Sequence, residues 1–277
     1  MAEEERSTPC DLGADSAVAG GDGRYTATIA DGWDIWGPQG GYVATIALRA
    51  AGAASPFARP ASFACHYLRA AKAEAVEIHV ESLRQARRAE SLRVTLVQDG
   101  VRVLEALVWT VAELEGVGHD AAAAPDAPPP DGVQPWETLA TASTPRFPFW
   151  RNLDVRPVLP DPYEWGRATE PRSLVWQRLR VRPPLEDPFV DAGRFLIAAD
   201  AAMYPAAMFA YDEPFPYVAP SMDLVMSFHG SGRDSEWILV DGVSPLAADA
   251  LVAGRAAIWS SSGRLLASGM QQMLQRV

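Results

Sequence analysis

The stretch Ser91–Val111, SLRVTLVQDGVRVLEALVWTV, reads as two strands folded back on each other. Ser91–Gln98 and Val101–Val111 flank Asp99-Gly100, and a two-residue Asp-Gly connection between β-rich runs is a strong hairpin signal. Just upstream, Ala75–Arg84 (AVEIHVESLR) alternates, with Val76, Ile78 and Val80 opposing Glu77, His79 and Glu81. That pattern gives a strand one apolar and one charged face. Ser62–Arg69 (SFACHYLR) is a further strand. Before it, Gly40-Gly41 closes the loop Trp33–Gly41, and Tyr42–Ala54 (YVATIALRAAGAA) reads as a helix with Val43, Ile46, Ala47 and Ala50 on one side. Its small residues let it lie close against a sheet. Arg24–Ala30 (RYTATIA) alternates and opens the unit. The order is strand, helix, antiparallel meander.

The same order returns in the second half. Asn152–Leu159 and Ser173–Val181 read as strands, and Phe189–Phe209 (FVDAGRFLIAADAAMYPAAMF) as an apolar, Ala-rich helix that Pro205 ends or kinks. A strand Ser221–His229 follows Pro220, then Glu236–Val243, Leu251–Ser260 and Arg264–Arg276. Both closing hairpins turn at a Gly-containing pair, Asp99-Gly100 and Ser262-Gly263. The repeat is weak in residues and consistent in order. Between the halves, Glu113–Pro148 is rich in Ala and Pro and reads as a linker or surface excursion. One long helix wrapped by an antiparallel sheet is the hotdog arrangement. The expected class is therefore α+β, a double hotdog in which each unit covers an exposed sheet edge of the other. The expected organisation is a frayed tail over 1–21, one hotdog over 22–115, a linker over 116–148 and a second hotdog over 149–277.

Composition narrows the function classes. The chain has 277 residues, with 24 Lys and Arg against 35 Asp and Glu, a formal net charge of −11. Such a balance repels phosphate backbones, so no nucleic-acid partner is expected. No run of eighteen apolar residues occurs, and the acidic start (MAEEERSTPCDLGADS) lacks the basic and apolar stretches of a secretory signal. Neither a transmembrane helix nor a leader is expected. Cys10 and Cys65 do not make a disulfide framework, which fits a reducing, cytoplasmic compartment. With no CxxC pair and four His, no metal site is expected.

The chain resembles the thioesterase II family of acyl-CoA thioesterases, which are double-hotdog proteins. The resemblance runs over Arg24–Trp109 and Phe189–Val277. In the first half it rests on Gly40-Gly41, on Tyr67-Leu68-Arg69, and on Leu83-Arg84 followed by Ser91–Gln98. In the second it rests on Ala199-Asp200, Ser221-Met222-Asp223, Trp237-Ile238-Leu239, Leu266-Ala267-Ser268 and Gln271. It implies an Asp, a Thr or Ser, and a Gln that hold and polarise a water attacking a thioester carbonyl. By position these are Asp200, Ser221 and Gln271. It also implies an acyl-CoA or acyl-carrier substrate, with coenzyme A as part of the substrate and no separate cofactor, and a homo-oligomer. Three departures bear on acyl preference: Ser221 where Thr is the familiar hydroxyl, Ala70 where Pro usually follows Leu-Arg, and Ala64 near the place of a His.

Each candidate has a plain reading beside the chemical one. Asp200 alone is a carboxylate on the solvated side of a helix, but its neighbours Leu196–Ala199, Ala201 and Ala202 are apolar. Ser221 can open a strand or complete a water's shell. Gln271 and Gln272 point to opposite faces, and the resemblance selects Gln271. Gly40 and Gly41 form either a turn that brings the helix close or a helix start facing an anion or oxyanion. Arg84 and Arg88, with Arg87, form either a solvated hairpin end or a contact to coenzyme A phosphates. Cys65-His66 cannot act as a nucleophile pair, since adjacent strand residues face opposite ways. His229 is the residue a hotdog hydratase or dehydratase would need. A third reading is a non-catalytic binder of acyl thioesters on the same scaffold.

Overall fold

A computed structural model describes residues 8–113, 115–139, 147–160 and 166–276. The first unit comprises α1 (Leu12–Asp15), β1 (Ala19–Gly21), β2 (Arg24–Thr28), α2 (Gly40–Ala54), β3 (Arg59–Tyr67), β4 (Ala75–Gln85), β5 (Ala89–Gln98) and β6 (Val101–Val111). After a connecting segment with a short helix α3 (Trp136–Leu139) come β7 (Leu153–Leu159), β8 (Arg172–Leu179), α4 (Pro188–Met208), β9 (Asp223–Phe228), β10 (Ile238–Ala248), β11 (Leu251–Ser260) and β12 (Leu265–Leu274).

All the strands form one 12-stranded sheet, ordered β1-β2-β4-β5-β6-β3-β9-β12-β11-β10-β8-β7. Read inward from either edge, the two halves follow the same order. The duplication is therefore one of topology, although the sequence of the two halves has diverged. The halves join where β3 pairs antiparallel with β9, with Ala64 opposite Val225. This pairing removes the two strand edges that a single unit would leave open. α2 and α4 lie against the inner face and against each other, and the main core runs through both units. The fold is a double hotdog.

Turn chemistry explains the register. Asp99 and Gly100 both have positive φ, 52° and 72°, the geometry that matches the twist of a two-residue hairpin. α2 starts cleanly because the Gln39 side chain accepts a hydrogen bond from the Tyr42 N–H at its N-terminus.

Three expectations need correction. Residues 8–21 are not a frayed tail. Asp11 caps α1, Leu12 is fully buried, and Asp15 accepts a hydrogen bond from the Trp33 indole. One buried leucine and a cap outweigh the polar composition of the segment. Pro205 does not end α4, which runs on to Met208. Proline removes only its own N–H, and its carbonyl still accepts the Phe209 N–H. Ser221 lies just outside β9, in an isolated bridge with Met273.

The connecting segment packs as a strap. Ala124, Ala127 and Val133 lie on Leu174, Trp176, Leu239 and Trp259, a cluster on the outer face of the second half's sheet. The Trp176 indole donates to the Pro128 carbonyl at 2.8 Å, and Arg156 donates to the Pro130 and Val133 carbonyls. Within the strap, Pro130–Gly132 forms a short 3-10 turn, and the Pro130 carbonyl accepts both the Val133 N–H and the Arg156 guanidinium.

Candidate active site

The site is built where the start of α2 meets the middle of α4. Gly41 makes the meeting possible. A Cβ there would lie 2.4 Å from the Leu196 carbonyl oxygen and 2.6 Å from the Ile197 Cα, so only glycine fits against this backbone. The approach brings the first turn of α2 to Asp200. Asp200 Oδ2 accepts the Gly41 N–H at 3.0 Å and the Gln39 side-chain N–H at 2.6 Å. Oδ1 accepts the Ser221 hydroxyl at 2.8 Å. The same Gln39 amide donates to the Ile197 carbonyl at 3.3 Å. The carboxylate of the second unit is thus held by two residues of the first.

Burial pushes the Asp200 carboxyl above the usual carboxylate range. The Ser221 hydroxyl and the backbone N–H groups of Gly41 and Gly40 work in the opposite direction and do not cancel it. A carboxylate offers about four lone-pair positions, and three are occupied by protein donors, so one is left for another donor.

Gln271 lies on the inner face of β12, whereas Gln272 is exposed. It is 3% exposed, and neither its Oε1 nor its Nε2 has a hydrogen-bond partner among the described residues. Its cross-strand neighbour is Gly254, on which Met203 rests, one turn along α4 from Asp200. Ser221 pairs with Met273, two positions along β12 from Gln271, so Ser221 and Gln271 sit diagonally across adjacent chain segments. Asp200 and Ser221 are in contact. Gln271 faces the same layer without bonding either.

Gly40 and Gly41 are both at the site, and Gly40 clears space within it. A Cβ on Gly40 would come to 3.1 Å from Asp200 Oδ2 and to 3.1 Å from the phenol oxygen of Tyr67. Arg84 and Arg88 are placed elsewhere. Arg84 pairs with Ser91, level with Trp109 and Ser62, at the far end of β3 from Tyr67 and three strands across. Arg88 is exposed in the turn between β4 and β5. His229 is exposed and meets Ser268 Oγ at 2.9 Å. Cys65 is buried and His66 exposed, on opposite faces of β3. Among the described residues, no group of three or more His, Cys, Asp or Glu is arranged to hold a metal, and no helix is long and apolar enough to cross a membrane.

Sequence reasoning missed Gln39 and Tyr67. Gln39 carried a signal, a polar residue immediately before a glycine pair at a helix start. Tyr67 shares its face of β3 with Phe63 and Cys65, so period-2 alternation turned it inward.

A double hotdog with a half-buried, donor-clamped carboxylate between its two long helices defines the structural class. Residues 29–111 match the family model described as acyl-CoA thioesterase N-terminal domain, and residues 120–275 match that of the C-terminal domain. The chain belongs to this acyl-CoA thioesterase family. Solved structures of similar fold include a conserved hotdog protein of unknown function from Alicyclobacillus acidocaldarius. Its TM-score is 0.83 and its identity 19%, covering 96% of this chain and 98% of that one. The acyl-CoA thioesterase II TesB2 from Mycobacterium marinum has a TM-score of 0.77 and 24% identity, with 96% and 98% covered. A tesB protein from Mycobacterium avium subspecies paratuberculosis has 0.78 and 22%, with 96% and 98% covered. A search of the curated proteins finds no match.

Proposed function

We propose that this chain is an enzyme that hydrolyses acyl-CoA or acyl-carrier thioesters to a carboxylic acid and a thiol. The observation that carries the proposal is Asp200: a half-buried carboxylate at the junction of two units, clamped by three donors, with one acceptor position left over. A water donating to that position is oriented and can give up its proton to Asp200. Its oxygen forms the new bond to the acyl carbon as the carbonyl becomes an oxyanion. The oxyanion then collapses, the C–S bond breaks, and the proton on Asp200 goes to the departing thiolate. Burial that raises the carboxyl pKa makes Asp200 a better base toward water. Ser221 fixes the carboxylate, and the unpartnered amide of Gln271 is a second holder for the water. The reaction uses water and no further cofactor.

Membership of an acyl-CoA thioesterase family supports the substrate class. A dehydratase reading needs His229 beside a carboxylate in the pocket, and His229 instead meets a serine on the exposed side of the sheet. Self-association is proposed on the outer face of the first half's sheet and the junction. There Leu107, Trp109, Val225 and Met270 are apolar and 40–58% exposed. A cytoplasmic location is proposed on the two free cysteines. The test of function is thiol release from acetyl-, hexanoyl-, palmitoyl- and benzoyl-CoA. Turnover of at least one supports the enzyme. Saturable binding of these thioesters without turnover makes the protein a binder, and hydration of an enoyl-CoA in place of hydrolysis makes it a lyase.

A further inference from the structure

Thioester hydrolysis builds negative charge on the carbonyl oxygen, so a donor must face that oxygen. The start of a helix is the usual source, but here the Gly41 N–H is directed at Asp200. The donors of this layer that have no partner among the described residues are the Gln271 amide and the phenol of Tyr67. Tyr67 stands at the C-terminal end of β3, beside Gly40. Both its phenol oxygen and Asp200 Oδ2 come to 3.1 Å of the position a Gly40 Cβ would take. A carboxylate base and a neutral O–H donor thus border the same glycine. Burial, with the charges of Cys65 and Asp200 nearby, holds the phenol well above its ordinary pKa, so it stays protonated wherever Asp200 is ionised. The Cys65 thiol lies beside it on the same face of β3 and is only a weak hydrogen-bond partner.

We propose that Tyr67 is a further catalytic residue, whose phenol O–H donates a hydrogen bond to the thioester carbonyl oxygen as that oxygen becomes an oxyanion. This rests on the thioesterase reading above. The proton stays on the phenol throughout, and no bond of Tyr67 is made or broken. The assignment gives Gly40 a role of its own, since any side chain there would crowd both Tyr67 and Asp200.

The test is Tyr67→Phe in the full chain, which removes one oxygen and keeps the ring. The kcat for hexanoyl-CoA is expected to fall about 100-fold with KM little changed, the usual effect of deleting one oxyanion donor. A second readout does not depend on turnover. In Asp200→Asn protein, the infrared carbonyl stretch of bound hexanoyl-CoA should lie below that of hexanoyl-CoA in water, and adding Tyr67→Phe should move it back. A kcat for Tyr67→Phe within threefold of wild type, or one stretch shared by both proteins, overturns the role of Tyr67. If Asp200→Asn has meanwhile lost turnover, the thioesterase reading survives that result. Wild type that neither binds nor cleaves any thioester overturns both.

Discussion

α2 and α4 pack through glycines of both helices. Gly41 lies on the Leu196–Ile197 backbone of α4, and Gly193 lies on the Thr45 side chain of α2. Matching the two glycines aligns the helices and shows how far the copies have parted. Two positions before each glycine stand Gln39 and Asp191, and two turns after stand Leu48 and Asp200. In one place Gln39 reaches Asp200. In the other, the counterpart of Asp200 is Leu48, fully buried and apolar. Asp191 there uses both oxygens internally, on the Arg194 guanidinium and on the Ser231 hydroxyl and Gly232 N–H. The strands agree. The inner face of β6 presents Leu104, Ala106, Val108 and a Thr110 bonded to Ser55, whereas that of β12 presents the unpartnered Gln271. The same scaffold holds a carboxylate clamped by neutral donors at one of its two junctions and, at the other, a buried leucine beside a closed ion pair. Under the proposed function, duplication lets one copy carry the chemistry while the other keeps stability.

The largest effect is expected from forcing the junction at Leu48 to resemble the one at Asp200. Leu48→Asp buries a carboxylate with no donors prepared for it. It should cost at least about 4 kcal/mol of stability, or abolish folding, because it loses apolar burial and leaves a charge unpaired. A denaturant melt checks this. A melt within 1 kcal/mol of wild type would mean that the two junctions differ less than the contacts imply.

Next come the two glycines. Gly41→Ala drives a methyl into the α4 backbone and should cost about 3 kcal/mol, with activity lost because the Asp200 donors are displaced. Gly193→Ala meets a side chain, so it should cost only about 1–2 kcal/mol and be partly rescued by Thr45→Ala. Equal losses in the two single variants would contradict the distinction between backbone and side-chain contact.

The smallest effect on stability is expected from Gln39→Ala, about 1 kcal/mol for a lost helix cap, but it should move the pH profile. Asp200 must be ionised to act as base, so kcat/KM falls as pH drops through its pKa, which burial has raised. Removing the Gln39 donor makes the charged form less favourable still, and the acidic limb should shift to higher pH. The sign for stability runs the other way. A carboxyl whose folded pKa exceeds its unfolded value stabilises the fold most at low pH, and that stabilisation is lost as pH rises through the folded pKa. Asp200→Asn should therefore melt no lower than wild type at neutral pH. A limb that stays in place in Gln39→Ala would remove Gln39 from the site.

Much of this was legible in the sequence, and the reasons are particular. Ala75–Arg84 alternates and Asp99-Gly100 is a turn pair, so the meander could be read from local rules, and its repetition gave the double unit. Asp200 stood out as an acid among alanines. What could not be read was mostly long-range. The Gln39–Asp200 bond joins residues 161 apart in sequence, and no local pattern records which helix start meets which helix middle. The distance of Arg84 and Arg88 from Asp200 was hidden for the same reason, since their clustering says nothing about which end of the sheet they occupy. The order in residues 8–21 was hidden because one buried leucine and one cap decide it, against a polar composition.

The central claim is that the junction holding Asp200 performs chemistry through that carboxylate. It is tested most directly by thiol release from the acyl-CoA panel, with wild type and Asp200→Asn assayed side by side at matched folding. We expect wild type to turn over at least one substrate and the variant to lose between about 100- and 10,000-fold in kcat, the range for removing a general base. Turnover that survives at the wild-type rate in Asp200→Asn would contradict the account.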